Sequence, residues 1–346
     1  MQAVAKTSPY IRKPVSTKRM MADVLIGLLP ILAFATYRYG MDYLLKVVVA
    51  SLIAVVAEAV VFGIIKEQDE TYLERFKTKY TINNVIPPIV TAVIFMFTLP
   101  ATVSYYVVVV GILFAIVVVK MIFGGLGRNV FNPAGAARVF VGLALGSFIT
   151  YVDIDGAAGA TALSVPFSEV FRYYSISDLF FGNIPGSAGE ISAIAILIGG
   201  GYLLIRRSAD FRVVVSSLGV FIILMLVAGL GMGLGVDTFR FVLFQLLSGG
   251  LLFGVFFMAT DPVTSPYTRP GRMIFGGLIG LLVVLIRLFG NLPEGMVFSL
   301  IIANFIVPII DYKRWTTNQY SKKFVITSSA VIAIFALIVF IGVGGF

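Results

Sequence analysis

Residues 44–65 read LLKVVVASLIAVVAEAVVFGII, and this stretch decides the fold class. A helix over it would run about 33 Å, the thickness of a bilayer's hydrocarbon core. Lys46 sits near one end of the run. Glu58 sits in the middle, where a carboxylate needs a partner or a cavity and is a candidate for an ion path.

Similar runs recur outward in both directions, near Ala22–Tyr37, Val85–Leu99, Tyr105–Phe123, Ala134–Thr150, Ile191–Ile205, Val213–Leu234, Phe239–Ala259, Met273–Leu288, Met296–Ile310 and Phe324–Val343. With 59% hydrophobic and 12% charged residues among 346, the chain is solvated by lipid. It reads as an all-α integral membrane protein with eleven spans. Lys13, Lys18 and Arg19 precede the first run, but no small-residue cleavage site closes it, so a cleaved signal is not expected.

Net charge +9 would suit a nucleic-acid partner, but the placement of the cations excludes that reading. Most of the 26 Lys and Arg fall on alternate loops: Lys6 to Arg19, Lys66 to Lys79, Lys120 to Arg138, Arg206 to Arg212, Arg269 and Arg272, and Lys313 to Lys323. The opposite set holds only Arg38, Lys46, Arg172, Arg240 and Arg287. This asymmetry puts the amino terminus in the cytoplasm and the acidic loop 151–190 outside it.

That loop separates five spans from five. An odd number per half means that the second half inserts upside down, so two inverted repeats are expected, followed by the eleventh helix. Short echoes agree: FTLPATVSYY with MATDPVTSPYT, pairing Thr98 and Pro100 with Thr260 and Pro262, and FNPAG with NLPEG, pairing Pro133 and Gly135 with Pro293 and Gly295. The expected divisions are an amino-terminal segment and first repeat over 1–150, the outer loop over 151–190, a second repeat over 191–311, and a loop with the last helix over 312–346.

The chain has no Cys and no His, so thiolate-held clusters, haem and the usual zinc ligands are excluded. Any electron carrier must be an organic cofactor. In the outer loop, DGAAGAT over residues 155–161 leaves the Thr161 hydroxyl flanked by small residues, open to an enzyme that must reach it in extended form.

This run resembles the flavinylation motif, Asp-x-x-Ser/Thr-Gly-Ala-Thr, of flavin-carrying subunits in Rnf and sodium-pumping NADH:quinone oxidoreductase complexes. Asp155, Gly159, Ala160 and Thr161 match, and Ala158 stands where Ser or Thr is usual. SPYIRKPVSTKRMMADVLIGLLP, KMIFGGLGRNVFNPAGAARVF and FMATDPVTSPYTRPGRMIFGGLIG are similar to blocks of the RnfD family, and the related NqrB family of the quinone reductase shares the plan.

The resemblance implies FMN joined through its phosphate to Thr161 by a flavin transferase. It further implies a non-covalent riboflavin within the membrane part. Arg128, Asn132 and Pro133 after the fourth span, with Asp261, Thr264 and Arg269 after the eighth, are the candidates to hold it. It implies a prokaryotic plasma-membrane complex passing electrons between ferredoxin and NAD, coupled to Na⁺ or H⁺. The iron–sulfur and NAD sites, and a second FMN-carrying subunit, would lie on partners. The competing reading is a channel or permease of urea-channel-like fold, which gives DGAAGAT no purpose.

Overall fold

The computed structural model describes residues 16–65, 71–151, 161, 163, 165, 167–290, 295–313 and 315–344. All of the apolar runs emerge as helices. Five are long enough to cross a membrane alone: α1 (Thr17–Tyr39), α2 (Met41–Ile64), α10 (Phe211–Gly231), α13 (Arg269–Phe289) and α15 (Lys322–Gly344). Shorter apolar helices are α4 (Ile82–Phe97), α5 (Tyr105–Met121), α6 (Pro133–Ala144), α9 (Ala193–Arg206) and α14 (Met296–Ile310). Three brief helices, α3 (Tyr72–Lys79), α7 (Phe167–Tyr173) and α8 (Ile176–Phe181), lie in the connections.

The ends follow from local chemistry. Ser16 caps α1, its hydroxyl accepting from Arg19 N–H, and Gly40 at φ 81° turns the chain straight into α2. Asn132 caps α6 by accepting from Gly135 N–H, with Pro133 at the first helical position. Thr268 and Pro270 repeat this device at α13. Helix α4 stops at Thr98, whose hydroxyl bonds back to Phe95 O.

The span expected to be continuous over Phe239–Ala259 is broken. It forms α11 (Thr238–Leu247) and α12 (Leu251–Met258), bent by 58° across Ser248–Gly250. Gly249, at φ 67°, makes the turn, and Arg287 of α13 donates to the carbonyls of Gln245 and Ser248 that the break releases. The fifth span is likewise shorter than expected, ending at Ala144 before a 3₁₀ turn over Gly146–Phe148. Helices α5 and α12 widen to π geometry over Phe114–Met121 and Gly254–Met258.

The principal packing partners are α10 with α13, α2 with α4, α1 with α9, α10 with α15, and α13 with α14; α6 also meets α14. The contacts α1–α9 and α6–α14 run between segments before and after residues 151–190. At the α1–α9 crossing, Gly27 and Gly199 bring their backbones together. Helix α15 lies outermost, with Val339 and Val343 buried and Phe340 against Gly231. Beyond Lys322, Lys323 and Thr327 to Ser329 in its first turns, its surface is apolar and suited to lipid.

Two cations expected in loops lie inside the bundle. Lys120 is 2% exposed within α5, and Arg138 is half-buried within α6. Arg138 Nε donates to Thr98 O at 2.8 Å, and its Nη2 donates to Tyr151 Oη at 2.9 Å. Partners distant in sequence hold them.

Candidate functional site

The chain breaks after α5 and α12 face each other toward the end of the bundle where α1 begins. Between them lies a cavity of about 70 Å³. Its polar lining is Thr91 on α4, Lys120 on α5, Asn129 and Asn132 before α6, Ser208 after α9, and Thr260 and Asp261 after α12. Met21, Ile94, Phe256 and Phe257 supply apolar walls.

Asn132 organises this region. Its backbone N–H donates to Asn304 Oδ1 at 3.1 Å, and its Nδ2 donates to Met258 O at 3.3 Å. Asn304 Nδ2 donates in turn to Thr264 O at 3.1 Å. Two buried amides therefore tie the start of α6 to the end of α12 and to α14. Asp261 accepts from Val263 N–H and the Thr264 hydroxyl, which fixes its turn.

Lys120 Nζ donates to Glu58 Oε2 of α2, both side chains being buried, and also interacts electrostatically with Asp261 across the cavity. One ammonium thus faces two carboxylates. Beside the cavity, Asp23 of α1 receives Arg206, Tyr202 and Ser208 from the α9 end, bracing the α1–α9 pair.

Thr161 lies elsewhere. It is 8% exposed and lines a pocket of about 10 Å³ with Glu190, Ile184, Ile191 and Gly249, beside the α11–α12 break. Glu190, the last residue of the outer loop, is 4% exposed.

A sequence model of the NQR2, RnfD, RnfE family matches residues 4–319. The chain belongs to that family. The D subunit of the Na⁺-translocating ferredoxin:NAD⁺ oxidoreductase complex of Acetobacterium woodii is 35% identical over 326 residues, covering 92% of this chain and 95% of that protein. The D subunit of the ion-translocating oxidoreductase complex of Salmonella typhimurium is 32% identical over 347 residues, covering 88% and 95%. The B subunit of the Na⁺-translocating NADH-quinone reductase of Chromohalobacter salexigens is 42% identical over 236 residues, covering 64% and 57%. Helix α15 begins beyond the last residue matched by the NQR2, RnfD, RnfE family model.

Within this family member, three of the six residues expected around a second flavin line the cavity together: Asn132, Pro133 and Asp261. Thr264 is buried behind Asp261. Arg128 and Arg269 are exposed and do not line it. Glu58 reaches the cavity through Lys120. Asp155, Gly159 and Ala160 lie outside the described residues. Sequence reading missed Lys120, Asn129, Asn304 and Glu190. A lysine or asparagine next to a Gly-rich break was the available signal for the first two.

Proposed function

We propose that the chain carries FMN as a phosphoester on Thr161. It is a membrane subunit of a redox-driven ion-translocating complex. The observation that carries the flavin reading is Thr161 itself, closing DGAAGAT in a family member that has no Cys or His to hold another redox centre. In the transfer, the Thr161 oxygen attacks the FMN phosphorus of FAD, the pyrophosphate bond breaks, AMP leaves, and the hydroxyl proton passes to base. A flavin transferase performs that step.

Thr161 fits as a tether because its hydroxyl is the required nucleophile. The pocket beside it has room for little more than a water, so a ring system attached there lies outside that pocket. A second flavin is supported by the polar cavity. Asn129 and Asn132 amides and the Lys120 ammonium suit flavin carbonyl oxygens, with Phe256, Phe257 and Met21 as apolar walls; at about 70 Å³ the cavity takes only part of a flavin ring, so the rest would lie beyond it. Bound, a flavin supplies the electron transfer that no side chain here can perform.

The name of the Acetobacterium relative supports electron flow between ferredoxin and NAD⁺ coupled to Na⁺, and the names of both D subunits support partner subunits in a complex. On this reading the iron–sulfur and NAD sites and a second FMN lie on those partners, because this chain has no Cys or His to hold a cluster, and H⁺ is the alternative coupling ion. Glu58, with Lys120 and Asp261, is the charged group placed to serve an ion path. The bacterial relatives support a prokaryotic plasma membrane, and the positive-inside pattern supports placing Thr161 outside the cytoplasm.

Co-expression with a flavin transferase, then in-gel fluorescence after denaturation, tests the covalent site. A bright band lost in Thr161→Ala is expected. A dark wild-type band, or an equally bright variant, overturns the assignment.

A further inference from the structure

Helix α15 packs tightly at one end only. Helices α10, α13 and α15 end together, with Phe340 against Gly231 and Gly342 against Phe289. The buried residues of α15, Val339 and Val343, lie in its last two turns. Toward its start, Phe324, Ser328, Ile332 and Phe335 share their helical face and are only half-buried. The packing therefore opens toward the end that the positive-inside pattern assigns to the cytoplasm.

That end is bordered by cations without counter-ions. Ser321 caps α15 by accepting from Phe324 N–H, and Lys322 and Lys323 follow it. Asn318 accepts from Arg269 N–H at 3.1 Å, which brings the start of α13 to the same connector. Lys313, Lys322, Lys323 and Arg269 are exposed, with no carboxylate partner among the described residues. Arg212 and Arg272, at the starts of α10 and α13, are already paired with Asp210. Asp311 is the only acid from its own position to the end of the sequence, and it is engaged by Tyr267 N–H and the Arg272 charge. Aromatic rings interleave with the free cations: Tyr312 and Trp315 have centroids 4.7 Å apart, and Tyr320 and Phe324 5.8 Å. Trp315 is 60% exposed, and its indole N–H donates to Ile309 O. Such rings beside exposed cations, at the foot of an apolar helix, are the composition of a bilayer interface.

We propose that an anionic phospholipid occupies the opening between α15 and the α10–α13 pair, with its acyl chains along the half-buried face of α15 and its phosphate at Lys322, Lys323 and Arg269. Charge selects the headgroup. A zwitterionic lipid brings its own cation to a surface with no free acid to receive it, whereas an anionic lipid neutralises cations that the fold leaves unpaired. The apolar face selects a lipid over an acidic protein, because acyl chains continue from the headgroup along Phe324, Ile332 and Phe335. The site is independent of any flavin.

Trp315 is the single tryptophan of the chain, so its emission reports on this site alone. The full-length chain is reconstituted in phosphatidylcholine nanodiscs that contain a varied fraction of lipid brominated in its acyl chains, either phosphatidylglycerol or phosphatidylcholine. Each cation held near an anionic headgroup contributes about a 5-fold preference. Brominated phosphatidylglycerol should therefore quench Trp315 half-maximally at a mole fraction at least about 5-fold below that of brominated phosphatidylcholine. Raising the salt should narrow the difference. The triple variant Lys322→Gln, Lys323→Gln, Arg269→Gln changes only exposed side chains and should bring the two curves together, while Lys322→Arg with Lys323→Arg should keep them apart. A preference for phosphatidylglycerol that survives the triple variant overturns the proposal. Overlapping curves in the wild type also overturn it, and would leave these cations to an acidic partner protein.

Discussion

Lys120 Nζ lies 2.5 Å from Glu58 Oε2, an ion pair between α5 and α2 whose side chains are 3% and 2% exposed. Neither charge is tolerable alone at that depth. Burial disfavours each, and the partner and the polar cavity offset the cost. The pair is thus a device that sets how α2 and α5 meet, while leaving Lys120 in the cavity wall.

Removing one partner should be far worse than removing both. Glu58→Leu or Lys120→Met should each cost about 3–5 kcal/mol, by stranding a buried charge. The double variant should recover most of that. Thermal unfolding in detergent checks it. Additive losses would mean that the two residues do not act as a pair.

The buried amide chain makes a second prediction. Asn304→Leu removes the acceptor for Asn132 N–H and the donor for Thr264 O, in a region closed to water. About 1–3 kcal/mol is expected for each stranded group. The cavity should loosen with it, so any non-covalent flavin in the purified complex should be lost at lower detergent concentration than in wild type. Unchanged flavin content and unchanged melting would disconnect Asn304 from the cavity.

The apolar runs were legible because a helix in lipid must satisfy its own backbone, so each run had only one structure open to it. The break at Ser248–Gly250 was not, although the paired glycines were visible. What stabilises it is Arg287, whose guanidinium reaches the freed carbonyls from 39 and 42 residues away. Lys120 read as an orienting charge because it borders IFGGLGR, while its partner is 62 residues distant. Asn304 sat inside an apolar run, and its partner Asn132 lies 172 residues away. Thr161 was legible as a hydroxyl among small residues, whereas nothing local marked Glu190 as buried rather than as another acid of the outer loop. Pairings made by the fold are what a local reading misses.

Close packing of α1 on α9 gives a third expectation. A methyl group at Gly199 would overlap the carbonyl oxygen of Gly27, and no flexible side chain can move aside. Gly199→Ala should destabilise by about 1–3 kcal/mol, the usual cost of overpacking. Gly201, on the same helix, has nothing within 4 Å of its built Cβ. Gly201→Ala should therefore be neutral or stabilising by up to about 1 kcal/mol. Melting temperatures of the two variants, measured side by side, separate the effect of the crossing from that of helix propensity.

Asp210 gives a prediction in pH. It precedes α10 and accepts from Arg212 N–H at 2.8 Å, and its carboxylate also meets the guanidinium groups of Arg272 and Arg212. Burial opposes its charge. The Arg212 amide and the two guanidinium groups outweigh that opposition and hold its carboxyl below the ordinary carboxylate range. A lowered native pKa means stabilisation that is complete above the unfolded value of about 4 and is lost as pH falls through the native value. Asp210→Asn keeps the cap and removes the charge. It should cost about 1.5–3 kcal/mol at neutral pH, the range for hydrogen bonds to charged groups. That gap should close in acid, where the wild-type carboxyl is also protonated. A gap that stays constant from neutral pH into strong acid would show that the variant acts through packing rather than charge.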